Sequence, residues 1–190
     1  MSTSGERGQR ADAVRNRRLV LEAATALLAE PGAALTVETI AKKAGLGAAT
    51  VVRAFGGKDA LLDAAVSGLL EPVVQRARDL LDDHIAPDQA LRTFVADLIA
   101  FQSAHHAIND QVNGLDLPAT NALRAELVRV AEEMITSARR DGTIRTDIDL
   151  AITATLIGQT AYAVARARPA SQELTNAYLT VLMDGLRQDQ

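Results

Sequence analysis

Apolar positions recur every three or four residues along nearly the whole chain, and alternation long enough to suggest a strand is absent. Leu19, Ala23, Ala26 and Leu27 mark a first stripe, which predicts a helix from near Asp12 to the stop at Pro31-Gly32. Residues 1–11, rich in Ser, Gly, Gln and Arg, read as a disordered arm ahead of it. Thr36 can cap a short helix over Val37–Ala44, Gly45 breaks that helix, and a second short one is expected over Ala48–Ala54. After Gly56-Gly57 a long helix starts near Lys58, with Leu62, Val66, Leu69, Val73, Ala77 and Leu80 on one face and a kink or end at Pro72.

The rest of the chain keeps the same period. A helix near 88–107 carries Leu91, Phe94, Leu98 and Phe101, and Asn109–Leu115 is a short, less regular piece. Pro118 suits the first position of a helix that runs to Asp141, with Leu123, Leu127, Val130, Met134 and Ala138 inward and Gly142 closing it. Asp147 or Thr146 can cap a helix over 148–167, and Ser171 the last one, over 172–187. The expectation is an all-α fold of about nine helices. An N-terminal helix-turn-helix domain of three helices occupies 12–57, and a helical ligand-binding and dimerisation domain occupies 58–190.

Composition narrows the chemistry. Apolar residues make up 48% of the chain but aromatics only 3%, so its core is built from Ala, Leu, Val and Ile, which leans to helix. Cysteine is absent, which removes disulfides, thiolate metal sites and cysteine nucleophiles. No apolar run approaches the roughly 20 residues of a membrane helix, and the first 15 residues lack the apolar stretch of a secretory signal. A cytoplasmic protein without membrane or cofactor is expected. Charge is uneven: residues 1–60 hold nine Lys/Arg against six Asp/Glu, a net of +3, and residues 61–190 hold eleven against eighteen, a net of −7. A basic end on an acidic body suits an anionic partner at one end.

Thr36 to Leu62 is the most informative stretch. Two short helices around Gly45, with Ile40, Ala41, Leu46 and Val51 inward, form a helix-turn-helix pattern. Ala41 is small enough for a close crossing, and Gly45 supplies a turn that a side chain would strain. Around this core stand Arg18, Leu21, Ala23, Ala24 and Leu27, then Gly32, Thr36, Ile40-Ala41, Ala44-Gly45-Leu46, Thr50-Val51, Phe55 and Lys58-Asp59-Ala60-Leu61. Over about 17–65 this run resembles the N-terminal domain of the TetR family of transcriptional regulators; the remainder resembles the family only in helical layout.

The resemblance implies a dimeric repressor that binds a palindromic operator in double-stranded DNA and is released by a small, largely apolar effector. It places Thr36, Thr50, Arg53 and Lys58 against the DNA backbone, and helix N-termini at Thr36 and Lys58 favour anions independently. Gly47, Ala48, Ala49 and Val52 complete the recognition surface. The chain departs from the family in having Val52 for a usual Tyr, Ala54 for a frequent His, Gly47 for Ser and Ala49 for Gly. Few hydrogen-bonding groups are left to read bases, so apolar contacts to thymine methyls and shape readout gain weight. Lys42 and Lys43 can reach phosphate, and Arg15, Arg17 and Arg18 can lie along the backbone or enter the minor groove.

In the body, Ala151, Ala154, Gly158, Ala161 and Ala165 repeat at helical spacing, a small-residue strip that suits close packing against a second subunit, with Ala177, Tyr178, Val181, Leu182 and Leu186 opposite. Phe94, Leu98, Phe101, Gln102, His105, Asn109, Met134, Gln159 and Tyr162 are candidates to line an effector pocket, with Asn109–Leu115 as its gate. Catalytic and metal-site residues are assigned to none. His105 and His106 point about 100° apart on a helix, and no phosphate loop, nucleophile elbow or zinc-helix motif occurs. The alternative is a helical dimeric interaction protein of this fold that has lost specific DNA reading.

Overall fold

A computed structural model describes residues 3–167 and 171–188. Among them are nine helices: α1 (Thr3–Leu28), α2 (Val37–Ala44), α3 (Ala48–Phe55), α4 (Lys58–Asp82), α5 (Pro87–Ala104), α6 (His106–Val112), α7 (Pro118–Arg140), α8 (Leu150–Ala165) and α9 (Gln172–Leu186). Apart from an isolated bridge between Ile144 and Arg187, the described residues form no β pairing. The all-α class and the helix-turn-helix plan are as the periodicity predicts.

Some details differ. Residues 3–11 belong to α1 and do not form the expected disordered arm; residues 1 and 2 lie outside the described residues. Gln9, Arg10 and Ala11 are good helix formers, and Gly5 and Gly8 do not end a helix whose C-terminal half is anchored by packing. The buried face of α1 is Val20, Ala23, Ala24 and Leu28, one step round from the expected stripe, with Leu19 and Leu27 half-buried and Ala26 exposed. α4 runs through Pro72. The carbonyl four residues back belongs to exposed Gly68, where water can take the acceptor that proline leaves free. The 109–115 piece is more regular than expected, since α6 covers most of it. α8 is capped by Asp149, whose carboxylate accepts from Ile152 N at 3.1 Å, not by Asp147 or Thr146.

The chain divides into two compact units, and the division falls inside α4 instead of at the expected 57/58 junction. One unit holds the chain up to Leu69 together with Ala107–Asn121; the other holds Leu70–His106 and everything from Ala122. The first unit buries Val20, Leu28, Ile40, Val51, Leu61, Leu62, Ile108, Val112 and Leu117. Residues 107–121 are fastened to it by polar contacts as well. Gln111 Nε2 donates to Leu28 O at 2.7 Å and Glu30 O at 3.0 Å, closing the C-terminus of α1. Asp63, buried on α4, accepts from Ala119 N at 2.9 Å, Thr120 N at 2.8 Å and Thr120 Oγ1 at 2.7 Å. The second unit buries Leu91, Phe94 and Val95 of α5, Val130, Met134 and Ile135 of α7, and Ile157, Ala161 and Ala165 of α8.

Candidate nucleic-acid interface

The interface is built around the turn between α2 and α3. Thr36 has extended backbone and caps α2: its Oγ1 accepts from Thr39 N at 3.1 Å, and Thr39 Oγ1 accepts from Thr36 N at 3.1 Å. Two donors that the first turn would leave unpaired are thereby satisfied. At the other end Gly45 takes φ 69°, so that Leu46 N donates to Ala41 O at 2.9 Å and Gly45 N to Lys42 O at 3.2 Å. This paired closure reverses the chain within two residues and starts α3 immediately. Ile40, Ala41 and Val51 are all but fully buried in the angle so formed. Burying them fixes which side of α3 faces out.

Gly47, Ala49, Val52 and Arg53 are exposed, and Ala48 and Thr50 half-buried. Arg53 Nη2 donates to Thr50 Oγ1 at 3.4 Å, so the two polar side chains of α3 stand side by side. Val52 is 46% exposed, an apolar group with no part in the core. Exposed Lys58 opens α4, just after Gly56 and Gly57, with Leu61 N donating to Gly57 O at 3.1 Å. Thr36 and Lys58 thus lie at helix N-termini, where the dipole favours phosphate.

The other cations fare differently. Lys43 Nζ is paired with Glu30 at 2.8 Å, Arg18 with Glu22 at 3.8 Å, and Arg17 is turned onto the C-terminal end of α3; Lys42 and Arg15 are exposed.

Both parts of the chain match known proteins. Residues 20–65 match the model for bacterial regulatory proteins of the tetR family, and residues 86–188 the C-terminal domain of SbtR-like transcriptional regulators. A TetR transcription regulatory protein from Mycobacterium vanbaalenii is 33% identical, with 94% of this chain and 99% of that one covered and a TM-score of 0.64. The chain belongs to the TetR family. It is also 26% identical to the transcriptional repressor KstR2 of Rhodococcus jostii, over 97% of this chain and 94% of that one. The ketosteroid regulator KstR2 of Mycobacterium tuberculosis shares the fold, at TM-score 0.69 and 22% identity, with 91% of this chain and 95% of that one covered. The chain is therefore a TetR-type, DNA-binding transcriptional regulator. No helix among its described residues is long and apolar enough to cross a membrane, and no group of three or more His, Asp or Glu there could hold a metal.

In the TetR body the candidate residues scatter. Phe94 and Met134 are core, and Leu98, Phe101 and Gln102 are half-buried on α5. His105 ends α5, where Nδ1 donates to Phe101 O at 2.9 Å and the ring lies 4.5 Å from that of Phe101. Its own helix thus takes up Nδ1. Asn109 falls in the reader's compact unit, and Gln159 and Tyr162 point outward from α8, Tyr162 carrying the Arg166 guanidinium over its ring at 5.6 Å. A cavity of about 560 Å³ opens instead between α5, α8 and α9, along Asp97, Ile99, Ala100, Ser103, Ala165 and Gln172. Met134 borders a second, of about 400 Å³. Asp97 Oδ2 and Gln102 Oε1 are buried acceptors without a hydrogen bond, although Arg76 Nε pairs with Asp97 at 3.5 Å. The sequence does not single out Asp97, because a lone Asp between apolar positions of a helix resembles an ordinary surface residue.

The small-residue strip of α8 is split, its C-terminal part turned inward. Ala161 and Ala165 are buried and Ala154 and Gly158 half-buried, on the helix that packs on α5 of the same chain; Ala151 is exposed. The outward strip consists of larger residues, Ile152, Leu156 and Tyr162, continued on α9 by Leu174 and Val181, the last 72% exposed. Tyr178 and Leu182 are half-buried, with the Tyr178 hydroxyl 2.7 Å from Thr160 Oγ1.

Proposed function

We propose that the chain is a homodimeric repressor that binds a palindromic operator through Thr36, Gly47, Ala48, Ala49, Thr50, Val52, Arg53 and Lys58, and leaves it when a small, largely apolar molecule enters the second compact unit. The observation that carries this reading is the outward set of Thr50 and Arg53, flanked by the helix N-termini at Thr36 and Lys58. Reading resides in 12–57, supported by Asp63 and residues 107–121; sensing and dimerisation reside in the rest of 58–190.

An α3 of eight residues buries too little surface to hold DNA alone, and two-fold pairing offers two such helices to successive major grooves. The pairing face is the exposed strip of Ile152, Leu156, Tyr162, Leu174 and Val181, with Ala151 beside it. It contributes apolar area at about 25 cal/mol per Å² buried. A cavity of about 560 Å³ suits a small molecule, and the carboxylate of Asp97 on its lining, ion-paired with Arg76 but without a hydrogen bond, suits a donor on it. Effector binding acts through α4, which begins at the reader and continues into the sensing unit. To matter, the effector must prefer the state that does not bind DNA by a few kcal/mol.

The test is enrichment of a duplex from a random-sequence pool by the purified protein, at stated salt. A palindromic motif should emerge, and Arg53→Ala and Lys58→Ala should each weaken binding and lower the salt slope by about 0.9 for each phosphate no longer neutralised. The poverty of hydrogen-bonding groups on α3, with Val52 exposed, favours one rival, an interaction protein that no longer reads DNA. No enriched motif, with indifference to both substitutions, would decide for it.

A further inference from the structure

Arg17 is one of three arginines near the start of the reader that a basic-arm reading would send to phosphate, yet its guanidinium faces the protein. Nη1 donates to Ala54 O at 3.0 Å, and the guanidinium carbon lies 4.3 Å from the centre of the Phe55 ring. Both partners belong to the last turn of the recognition helix. We propose that Arg17 is a positioning residue for α3: it fixes the C-terminal end of that helix on α1, so that Thr50 and Arg53 meet DNA at a set angle, and it makes no phosphate contact of its own. The proposal rests on the DNA-reading function proposed above.

The physical need is specific. A helix of eight residues is marginal by itself, and its last four carbonyls have no partner within the helix. Gly56, at φ 86°, returns its N–H to Val52 O at 2.7 Å and satisfies one of them. The cation on Ala54 O satisfies another and places positive charge at the negative end of the helix dipole. Stacking on Phe55 adds a cation–π contact that holds the guanidinium in the plane it needs for that bond. At the opposite end α3 has only Gly47, which offers no side-chain cap. Its orientation therefore depends on the C-terminal end more than in a helix capped at both ends.

The experiment compares wild type, Arg17→Ala, Arg17→Lys and Arg53→Ala on the duplex that wild type enriches from a random pool, with Kd measured across a salt series. Amide hydrogen exchange of α3 in the free protein is measured by NMR in parallel. Arg17→Ala should weaken binding about tenfold, about 1.4 kcal/mol, with the salt slope unchanged and α3 amides exchanging several-fold faster. Arg17→Lys should recover part of both effects, since it keeps the charge but not the planar fork. Arg53→Ala should lower the slope and leave α3 exchange alone. A slope reduced in Arg17→Ala would make Arg17 a phosphate ligand and overturn the proposal, as would α3 exchange indifferent to its removal. If wild type enriches no duplex, the DNA reading fails, while the exchange measurement still decides whether Arg17 holds α3.

Discussion

Helices α2 and α7 both contribute to the reader's compact unit, but their N-termini are satisfied in different ways. α2 follows Thr36, which caps it from within the same few residues. α7 follows Leu117, which has no side-chain oxygen, and its first free N–H groups go to Asp63, 56 residues earlier on α4. A local cap forms whenever the helix forms. A remote one forms only when α4 and the 107–121 segment are already together, so it reports on tertiary structure. One fastens a turn; the other fastens the fold.

Removing each cap sharpens that contrast. Asp63→Ala strips partners from two backbone donors and a hydroxyl at a buried site and should cost about 3 kcal/mol in urea unfolding; Asp63→Asn, with one acceptor oxygen left, should fall between it and wild type. A cost below about 1 kcal/mol would mean that water replaces the carboxylate and the cap is dispensable. Acid should then separate the two helices. Burial alone would raise the Asp63 pKa, but the hydrogen bonds from the Thr120 side chain, Thr120 N and Ala119 N outweigh it and hold the value below the usual 3.8. A lowered folded-state pKa means that its stabilisation is complete above the unfolded value and fades as pH drops below about 4 through the folded one. Wild type should therefore lose stability over that range more steeply than Asp63→Asn, and parallel curves would count against an ionised Asp63. Thr36→Ala, at the local cap, should cost about 1 kcal/mol with no change in acid sensitivity. Breaking the exposed Lys43–Glu30 pair with Glu30→Ala should change stability by roughly 0.5 kcal/mol or less.

The same division between local and remote explains what could be read from the chain. Thr36, Gly45 and Ser171 act on their immediate neighbours, and the ends of α2 and the cap of α9 are as expected. Asp63 leaves a faint signal: Pro118 opens a helix behind a leucine, so a cap has to come from elsewhere, but nothing local says from where. α8 misleads for another reason. Leu, Ile and Ala cover nearly every side of it, so spacing alone cannot say which face is buried. Ala161 and Ala165 are buried within the same chain, while Ala151, Ile152 and Leu156 lie at the surface. His105 resembles a pocket residue because its place in the stripe points inward; the carbonyl of Phe101 one turn back is an equally good destination.

The excursion of residues 107–121 into the reader's compact unit bears on any attempt to transplant this reader onto another sensor. A chimera joined at 57/58 or at 69/70 takes α1 to α3 from one parent and Gln111, Leu117 and Thr120 from the other. With a junction at 69/70, Asp63 then faces a foreign helix start, and the buried sites of Ile108, Val112 and Leu117 receive side chains selected in a different scaffold. A hybrid that keeps this compact unit whole would have to carry two separate stretches of the donor sequence, since the unit is not one continuous piece of chain.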